Sequence, residues 1–173
     1  METYMRNVLI ALAIVASGCA TTASQDPAAV RREIERQNAS AVQYYASGAL
    51  DSLVTIFAED AWQLMPNHEP LVGREAIKQY WARAIRWGKW EFTLQTQQLT
   101  VSGPVAVERG KYALRFTAHP GAPAGIVSSQ DQGNYLTHWR LDRDGSWRIA
   151  VDAALSEISA VNTSCLTTRS RGP

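Results

Sequence analysis

Cysteine is scarce in this chain, which has only Cys19 and Cys165 among its 173 residues. Because Cys19 is expected either to carry a lipid or to be cut off with the leader, Cys165 has no intramolecular partner, and we expect no disulfide framework. We therefore expect the fold to be held by a hydrophobic core. The length suits about one domain, and a hydrophobic content of 46% with six Trp and six Tyr is typical of a packed globular chain.

An excess of charge of one sign is also missing. Seventeen basic residues stand against 16 acidic ones, and the sequence shows no basic stripe. Nucleic acid is therefore not an expected partner. The three histidines, His68, His119 and His138, do not have the spacing of metal ligands, so we expect neither a metal nor another cofactor. We find no internal repeat.

Long apolar runs are absent as well. The run Val8–Ala16 has nine residues, too few to cross a bilayer as a helix. With Arg6 before it, this run is typical of a signal peptide, which we predict over residues 1–18. The segment Ala16–Cys19 resembles the lipobox of bacterial lipoproteins. That resemblance implies a lipid on Cys19 and a place in the bacterial cell envelope, as an outer-membrane lipoprotein, or in the periplasm.

Two alternatives remain open at this end of the chain. Ordinary secretory cleavage near Ala20 would give an exported protein without a lipid anchor. The true start is either Met1 or Met5, since Met5 begins a more typical basic segment. Residues 19–26 are small and polar, which indicates a short tether.

Apolar and polar residues alternate in two segments near the other end, Tyr135–Leu141 and Trp147–Ala154. This alternation is typical of half-buried strands. Asp144-Gly145 between them predicts a tight hairpin turn. The alternation also predicts that Asp152 points to the face opposite Ile149.

Helical spacing of apolar residues predicts three helices before these strands, at 27–47, at 50–58 and between Gly73 and Gly88. Alternation and turn residues predict further strands at 61–65, 71–72, 90–101 and 105–118, and a long loop at 119–132.

Three helices followed by long strands predict an α+β domain over residues 27–156. We expect a curved antiparallel sheet wrapped round the three N-terminal helices as a cone, with an apolar pocket at its wide end. The tail at 157–173 has no periodicity, and we expect it to be flexible.

Four fragments stand in a characteristic order along the chain. They are Gly48–Asp51 with Phe57–Ala61, Gly73–Ile77, Glu108–Tyr112, and Tyr135–Thr137 through Asp144–Trp147 to Asp152. Together they resemble the ketosteroid-isomerase-like or SnoaL-like superfamily. The similarity covers Val30–Ala154 and is greatest to stand-alone bacterial members without a characterised activity. It implies the cone fold of nuclear transport factor 2, and it implies homodimers.

The catalytic positions of ketosteroid isomerase are not kept in the sequence. Met65 stands where that enzyme has its carboxylate base, and Thr137 stands where it has a protonated Asp. Its tyrosine falls at about Ala41, and Tyr44 or Tyr45 could substitute only if rotated inward. We therefore expect a pocket floor near Met65 and Thr137 without an Asp or Glu side chain.

Three functions remain open. The first is binding of a small hydrophobic molecule, and the second is isomerase, cyclase or hydratase chemistry that uses Asp152 or a pocket tyrosine. The third is a dimeric interaction module. If Asp152 has no chemical role, it is a structural residue or a residue of the dimer face. If the aromatic residues listed below bind no ligand, they fill the core. The candidate ligand-binding residues are Trp62, Met65, Trp81, Tyr112, Leu114, Phe116, Tyr135, Thr137 and Trp139.

Overall fold

A computed structural model describes residues 25–158 of the chain. The predicted signal peptide, the predicted lipidation site Cys19 and residues 159–173 of the tail lie outside the described residues. Within residues 25–158, no helix is both long enough and apolar enough to cross a membrane.

Three helices and six strands make up the described part of the chain. In chain order they are α1 (Pro27–Ser47), α2 (Leu50–Thr55), β1 (Phe57–Leu64), β2 (Leu71–Val72), α3 (Arg74–Ala84), β3 (Gly88–Ser102), β4 (Val105–Ala118), β5 (Ser129–Leu141) and β6 (Trp147–Ser156).

Helix α1 confirms the bounds predicted from the sequence. The carboxylate of Asp26 accepts a hydrogen bond from the backbone N–H of Ala28 at 3.0 Å and caps the first turn. Gly48 ends the helix in the left-handed conformation, with φ at 70°. One face of α1 is buried through Val30, Ile34 and Ala41.

Several strands are longer than predicted, because tertiary pairing extends them beyond the alternating segments. β1 begins at Phe57, which pairs with Ile149 of β6, and α2 therefore ends at Thr55. β5 begins at Ser129, which pairs with Phe116, so the predicted loop shrinks to residues 119–128.

The six strands form one curved sheet in the order β2-β1-β6-β5-β4-β3. All neighbours are antiparallel except β1 and β6, which are parallel. Helix α1 lies against β3, so the sheet wraps round it, and the α+β fold is confirmed. Ile34, Leu53, Ile77 and Trp139 are fully buried in the core.

An extra residue in β6 corrects the predicted orientation of Asp152. Trp139 pairs with Ile149 and Thr137 pairs with Asp152, so two steps along β5 match three steps along β6. The bulge at Ala150 reverses the alternation that follows it. Asp152 therefore shares the inner face with Ile149, and the predicted opposite orientation is wrong.

Candidate functional site

A cavity of about 440 Å³ opens between α1, α3 and the inner face of the sheet. Its deep wall includes Gln63, Trp81 and Thr137, each only 4% exposed. Its rim includes the exposed residues Gln130 and Ile158. Eight of the lining residues are aromatic, namely Tyr45, Phe57, Tyr80, Trp81, Trp90, Phe92, Tyr112 and Tyr135.

The aromatic side chains pack against one another around Trp81. Tyr45 meets the indole of Trp81 edge-on, with ring centroids 4.5 Å apart, and Trp90 does so at 5.2 Å. Phe92 lies against Tyr45 at 4.6 Å. Because each ring is held by its neighbours, the wall is rigid before any ligand enters.

Six of the nine predicted ligand-binding residues line this cavity, namely Met65, Trp81, Tyr112, Leu114, Tyr135 and Thr137. The other three do not. Trp62 lies 47% exposed on the outer face, because β1 turns its neighbour Gln63 inward. Phe116 packs against Trp90 and faces a separate groove, and Trp139 is buried in the core behind the cavity.

Asp152 lies on the floor of the cavity with Gln63 and Thr137. The amide nitrogen of Gln63 donates to Asp152 Oδ2 at 3.1 Å, and the Thr137 hydroxyl donates to Oδ1 at 3.4 Å. Trp81 Nε1 donates to Gln63 Oε1 at 2.9 Å. Since an indole N–H can only donate, it fixes the Gln63 amide with its NH₂ group toward Asp152.

Burial raises the pKa of Asp152 above its usual value, and the negative charge of Glu108 adds to the increase. The hydrogen bonds from Gln63 and Thr137 act in the opposite direction. Asp152 keeps some accessible surface only because it faces the hollow. The expectation of a floor without a carboxylate near Met65 and Thr137 is therefore wrong.

Tyr45 is the tyrosine of α1 that points into the cavity, whereas Tyr44 packs at the edge of the core. The Tyr45 hydroxyl accepts a 3.4 Å hydrogen bond from Gln63, and no acceptor for its own proton is found among the described residues. Burial, with the charge of Asp152 as a smaller cause, raises the pKa of Tyr45. Tyr45 is therefore a neutral donor beside a carboxyl group.

Glu108 of β4 is a second carboxylate, fully buried behind the cavity wall. Its Oε1 accepts from Asn38 Nδ2 at 2.8 Å, from Thr96 Oγ1 at 2.6 Å and from Tyr135 Oη at 2.7 Å. Its Oε2 accepts from Trp139 Nε1 at 2.8 Å. Because the Tyr135 proton is committed to Glu108, Tyr135 cannot donate to a ligand as Tyr45 can.

Asp131 is a third carboxylate, nearer the rim. Tyr112 Oη donates to its Oδ2 at 2.7 Å, and Ser156 Oγ donates to its Oδ1 at 2.5 Å. Burial and the Asp131 contact raise the pKa of Tyr112, which keeps that phenol protonated. Asp131 and Asp152 are the two charged residues of the described cavity lining.

The histidines lie away from this cavity. His68 is exposed in the loop after β1, with its ring 5.0 Å from that of Tyr80. His138 pairs with Val107 and Val151 on the outer side of the sheet. Across residues 25–158, no group of three or more His, Cys, Asp or Glu is placed to hold a metal ion.

Gln63, Glu108 and Asp131 were missed from the sequence, although two of them left a signal. Glu108 has the same parity in β4 as Tyr112, and Gln63 has the same parity in β1 as Met65. A hydrophobic criterion overlooks a polar residue in an inward position. Asp131 falls in the segment predicted as loop, where parity has no meaning.

A family model described as a SnoaL-like domain matches residues 30–150. No curated protein has a sequence significantly similar to this chain.

Solved structures with 12–15% sequence identity share the fold. A nuclear transport factor 2-like protein from Salmonella enterica serovar Typhimurium matches with a TM-score of 0.67 at 12% identity, covering 80% of this chain and 98% of its own. A ketosteroid isomerase-like protein from Erwinia carotovora atroseptica gives 0.62 at 14% identity, with 74% and 96% covered. A hexachlorocyclohexane dehydrochlorinase gives 0.65 at 15% identity, with 76% and 87% covered.

Proposed function

The chain belongs to the SnoaL-like domain family, and on that basis we propose that it binds a small, largely apolar ring compound in its cavity. The observation that carries this proposal is the 440 Å³ hollow with a preformed aromatic wall and a few polar groups on its floor. That combination is typical of sites for small organic ligands. Gln63, Thr137 and Asp152 would orient the polar group of the ligand.

Binding can be tested with the uncharged fluorophore N-phenyl-1-naphthylamine. Trp81 and Trp90 line the cavity, so a bound probe should quench their emission by energy transfer and fluoresce itself, with a saturable curve. Ala154 lines the cavity, and its neighbour Ala153 pairs with Leu136 on the outer side. Ala154→Phe should therefore weaken binding at least tenfold, and the matched Ala153→Phe should not.

Thermal unfolding of both Phe variants shows whether they remain folded. The proposal fails if the wild-type protein gives no saturable binding, or if the two variants bind the probe equally well.

A second candidate function is proton-transfer catalysis. It is favoured because Asp152 and Tyr45 lie close to each other in the cavity. A carboxyl group whose pKa is raised toward neutrality is a better general base than an exposed one. With a ketone in the cavity, Asp152 would take a proton from the α-carbon. The electron pair of that C–H bond would pass to the carbonyl oxygen, and the free Tyr45 hydroxyl would stabilise it.

This chemistry predicts hydrogen exchange at the α-carbon of 2-tetralone in D₂O, followed by NMR. The wild-type protein should accelerate exchange, and Asp152→Asn should lower the rate by about 100-fold or more. Glu59→Gln is a matched control, because Glu59 is exposed. Equal rates for wild type and Asp152→Asn would assign the protein to binding alone.

We also propose export and anchoring through a lipid on Cys19, and a homodimer formed by the outer face of the sheet. That face carries a row of paired residues in which Trp62 neighbours Val151, Val151 neighbours His138, and His138 neighbours Val107. Trp62 and Val107 are 47% and 41% exposed. Light scattering should therefore give a dimer for wild type and a monomer for Val107→Glu.

A further inference from the structure

The charge of the cavity restricts its ligand further than its shape does. Eight aromatic rings surround a space whose described lining has two carboxylates, Asp131 and Asp152, and no Lys, Arg or His. A third carboxylate, Glu108, lies directly behind Tyr135. Near these carboxyl groups the space disfavours an anionic ligand.

Two basic side chains close to residues of the lining do not neutralise the carboxyl groups of the cavity. Burial raises the pKa of Tyr80, and the charge of nearby Arg83 opposes this increase, but the Arg83 side chain lines the neighbouring groove with Trp87 and His68. Lys111 is held by Glu157 at 2.9 Å on the exposed surface. No cation among the described lining residues therefore faces the two carboxyl groups of the cavity.

We propose that the cavity selects small ring-bearing amines, with the protonated nitrogen against Asp152 and the ring against the aromatic wall. This inference rests on the proposed function and names the ligand class of the same site. Aromatic rings attract cations through their quadrupole, and Tyr45 and Trp81 both bond to Gln63, which itself bonds to Asp152.

Asp152 has unused capacity for this contact. A carboxylate offers about four acceptor positions, and the Asp152 oxygens receive one hydrogen bond from Gln63 and one longer bond from Thr137. An ammonium group can fill the remaining positions. A buried charge is tolerated only when it is paired and hydrogen-bonded, and Asp152 meets that requirement for the ligand.

Asp131 would act earlier, at the rim. It is held by Ser156, which lies four residues beyond Asp152 in β6, or about 13 Å along an extended strand. Asp131 and Asp152 are therefore held at different places along the cavity. Asp131 therefore attracts the cation as it enters, and Asp152 receives it.

Ligand charge can be isolated with three compounds that share one ring and chain: 3-phenylpropan-1-amine, 3-phenylpropan-1-ol and 3-phenylpropanoate. Calorimetric titration of the purified protein at pH 7.5 should rank the amine at least about tenfold tighter than the alcohol, with the carboxylate weakest. Asp152→Asn should bring the amine-to-alcohol affinity ratio close to one. The exposed control Glu59→Gln should leave the ratio unchanged.

Proton linkage gives a second readout. The ligand-free carboxyl of Asp152 has a raised pKa, and Tyr45, Gln63, Thr137, Tyr135 and Glu108 surround it without a cation. The amine binds the ionised form, so its affinity should rise with pH until the amine itself deprotonates. The alcohol should not show this rise.

An alcohol that binds as tightly as the amine would overturn the amine inference and leave the binding proposal standing. The same holds if none of the three compounds binds while N-phenyl-1-naphthylamine does. If the fluorophore also fails to bind, the proposed function falls together with the inference.

Discussion

Asp152 is the residue on which the proton-transfer candidate and the amine inference depend, and its position has a cost in stability. The fold places a carboxyl group in an apolar hollow, where burial disfavours its charged form. Gln63 and Thr137 offset part of this cost, and no cation among the described residues offsets the rest. A ligand cation would do so, which links stability, pH and binding at one side chain.

Asp152→Asn should stabilise the ligand-free protein at neutral and alkaline pH. The ordinary pKa of Asp in an unfolded chain is about 3.9, and the folded value is higher. Between these values the folded chain holds the extra proton, so the stability of the wild-type protein falls as pH rises through this window. Asn carries no charge, and it can accept from Gln63 through Oδ1 while its Nδ2 donates to the Thr137 hydroxyl.

The melting temperatures of wild type and Asp152→Asn, measured from pH 4 to pH 8, check this expectation. The gap in favour of Asn should widen with rising pH, and Glu59→Gln should give no such trend. A wild-type protein that is the more stable of the two at pH 8 would contradict it.

Glu108 is expected to act through structure, because four side chains donate to it from α1, β3 and β5. Glu108→Ala leaves these donors unpaired and opens a void, which should cost about 3–5 kcal/mol in the free energy of unfolding. Glu108→Gln should cost less, about 1–3 kcal/mol, because hydroxyl groups such as that of Tyr135 can turn to accept from the amide.

Urea denaturation of the two Glu108 variants measures both values. Glu59→Ala serves as the exposed control and should change stability by no more than about 0.5 kcal/mol. A loss below about 1 kcal/mol for Glu108→Ala would show that the buried network contributes little.

At the scale of elements, the bulge in β6 decides which residues reach the cavity. Alternation predicted the strand and its pairing with β5. It could not predict the bulge, because no residue type marks an inserted residue and nothing in the sequence distinguishes Ala150. The prediction that Trp62 lines the cavity was wrong for a different reason. Trp62 and Met65 are three residues apart, and a regular strand cannot turn both inward.

A substitution at Gly110 tests the packing between neighbouring strands. A Cβ atom there would clash with the backbone oxygen of Gln95 and would lie 2.6 Å from the ring of Tyr135, which passes close to the backbone to reach Glu108. Gly110→Ala should therefore destabilise the protein by about 1–3 kcal/mol. It should also displace Tyr135 and weaken binding of the fluorophore.

Gly121→Ala is the control for this variant, because a Cβ atom at Gly121 would have no neighbour within 4 Å and the backbone there needs no positive φ. Equal unfolding free energies for the two alanine variants would show that the sheet yields at Gly110 without loss.

At the scale of the whole molecule, the sequence was sufficient for the fold class and the superfamily. Helical spacing, alternation and the ordered family fragments are local signals in the sequence. The helices, strands and family that they predicted are all found. The cavity is harder to predict because it is made by residues far apart in the chain, such as Tyr45, Gln63 and Asp152. Which polar residues face the cavity depends on the register of the strands. The bulge in β6 reversed the orientation of Asp152, the most important of these residues.

The last prediction concerns where the whole molecule resides. The described fold begins with α1 at Pro27, eight residues after Cys19, and an extended segment of that length reaches about 28 Å at most. A lipid on Cys19 would therefore hold the domain beside the membrane surface. A single acyl chain anchors weakly, whereas the several chains of a bacterial lipoprotein would anchor stably.

Cys19→Ser should move the protein from the membrane fraction to soluble or unprocessed material, as judged by fractionation and by the mass of the mature chain. Cys165→Ser is the matched control, because it removes the other cysteine and leaves the lipobox-like segment intact. If Cys19→Ser has the same distribution as wild type, the lipid anchor is wrong, and cleavage near Ala20 with release into the periplasm becomes the explanation to test. The cavity proposals would be unaffected, because every residue that carries them lies between Asn38 and Ile158.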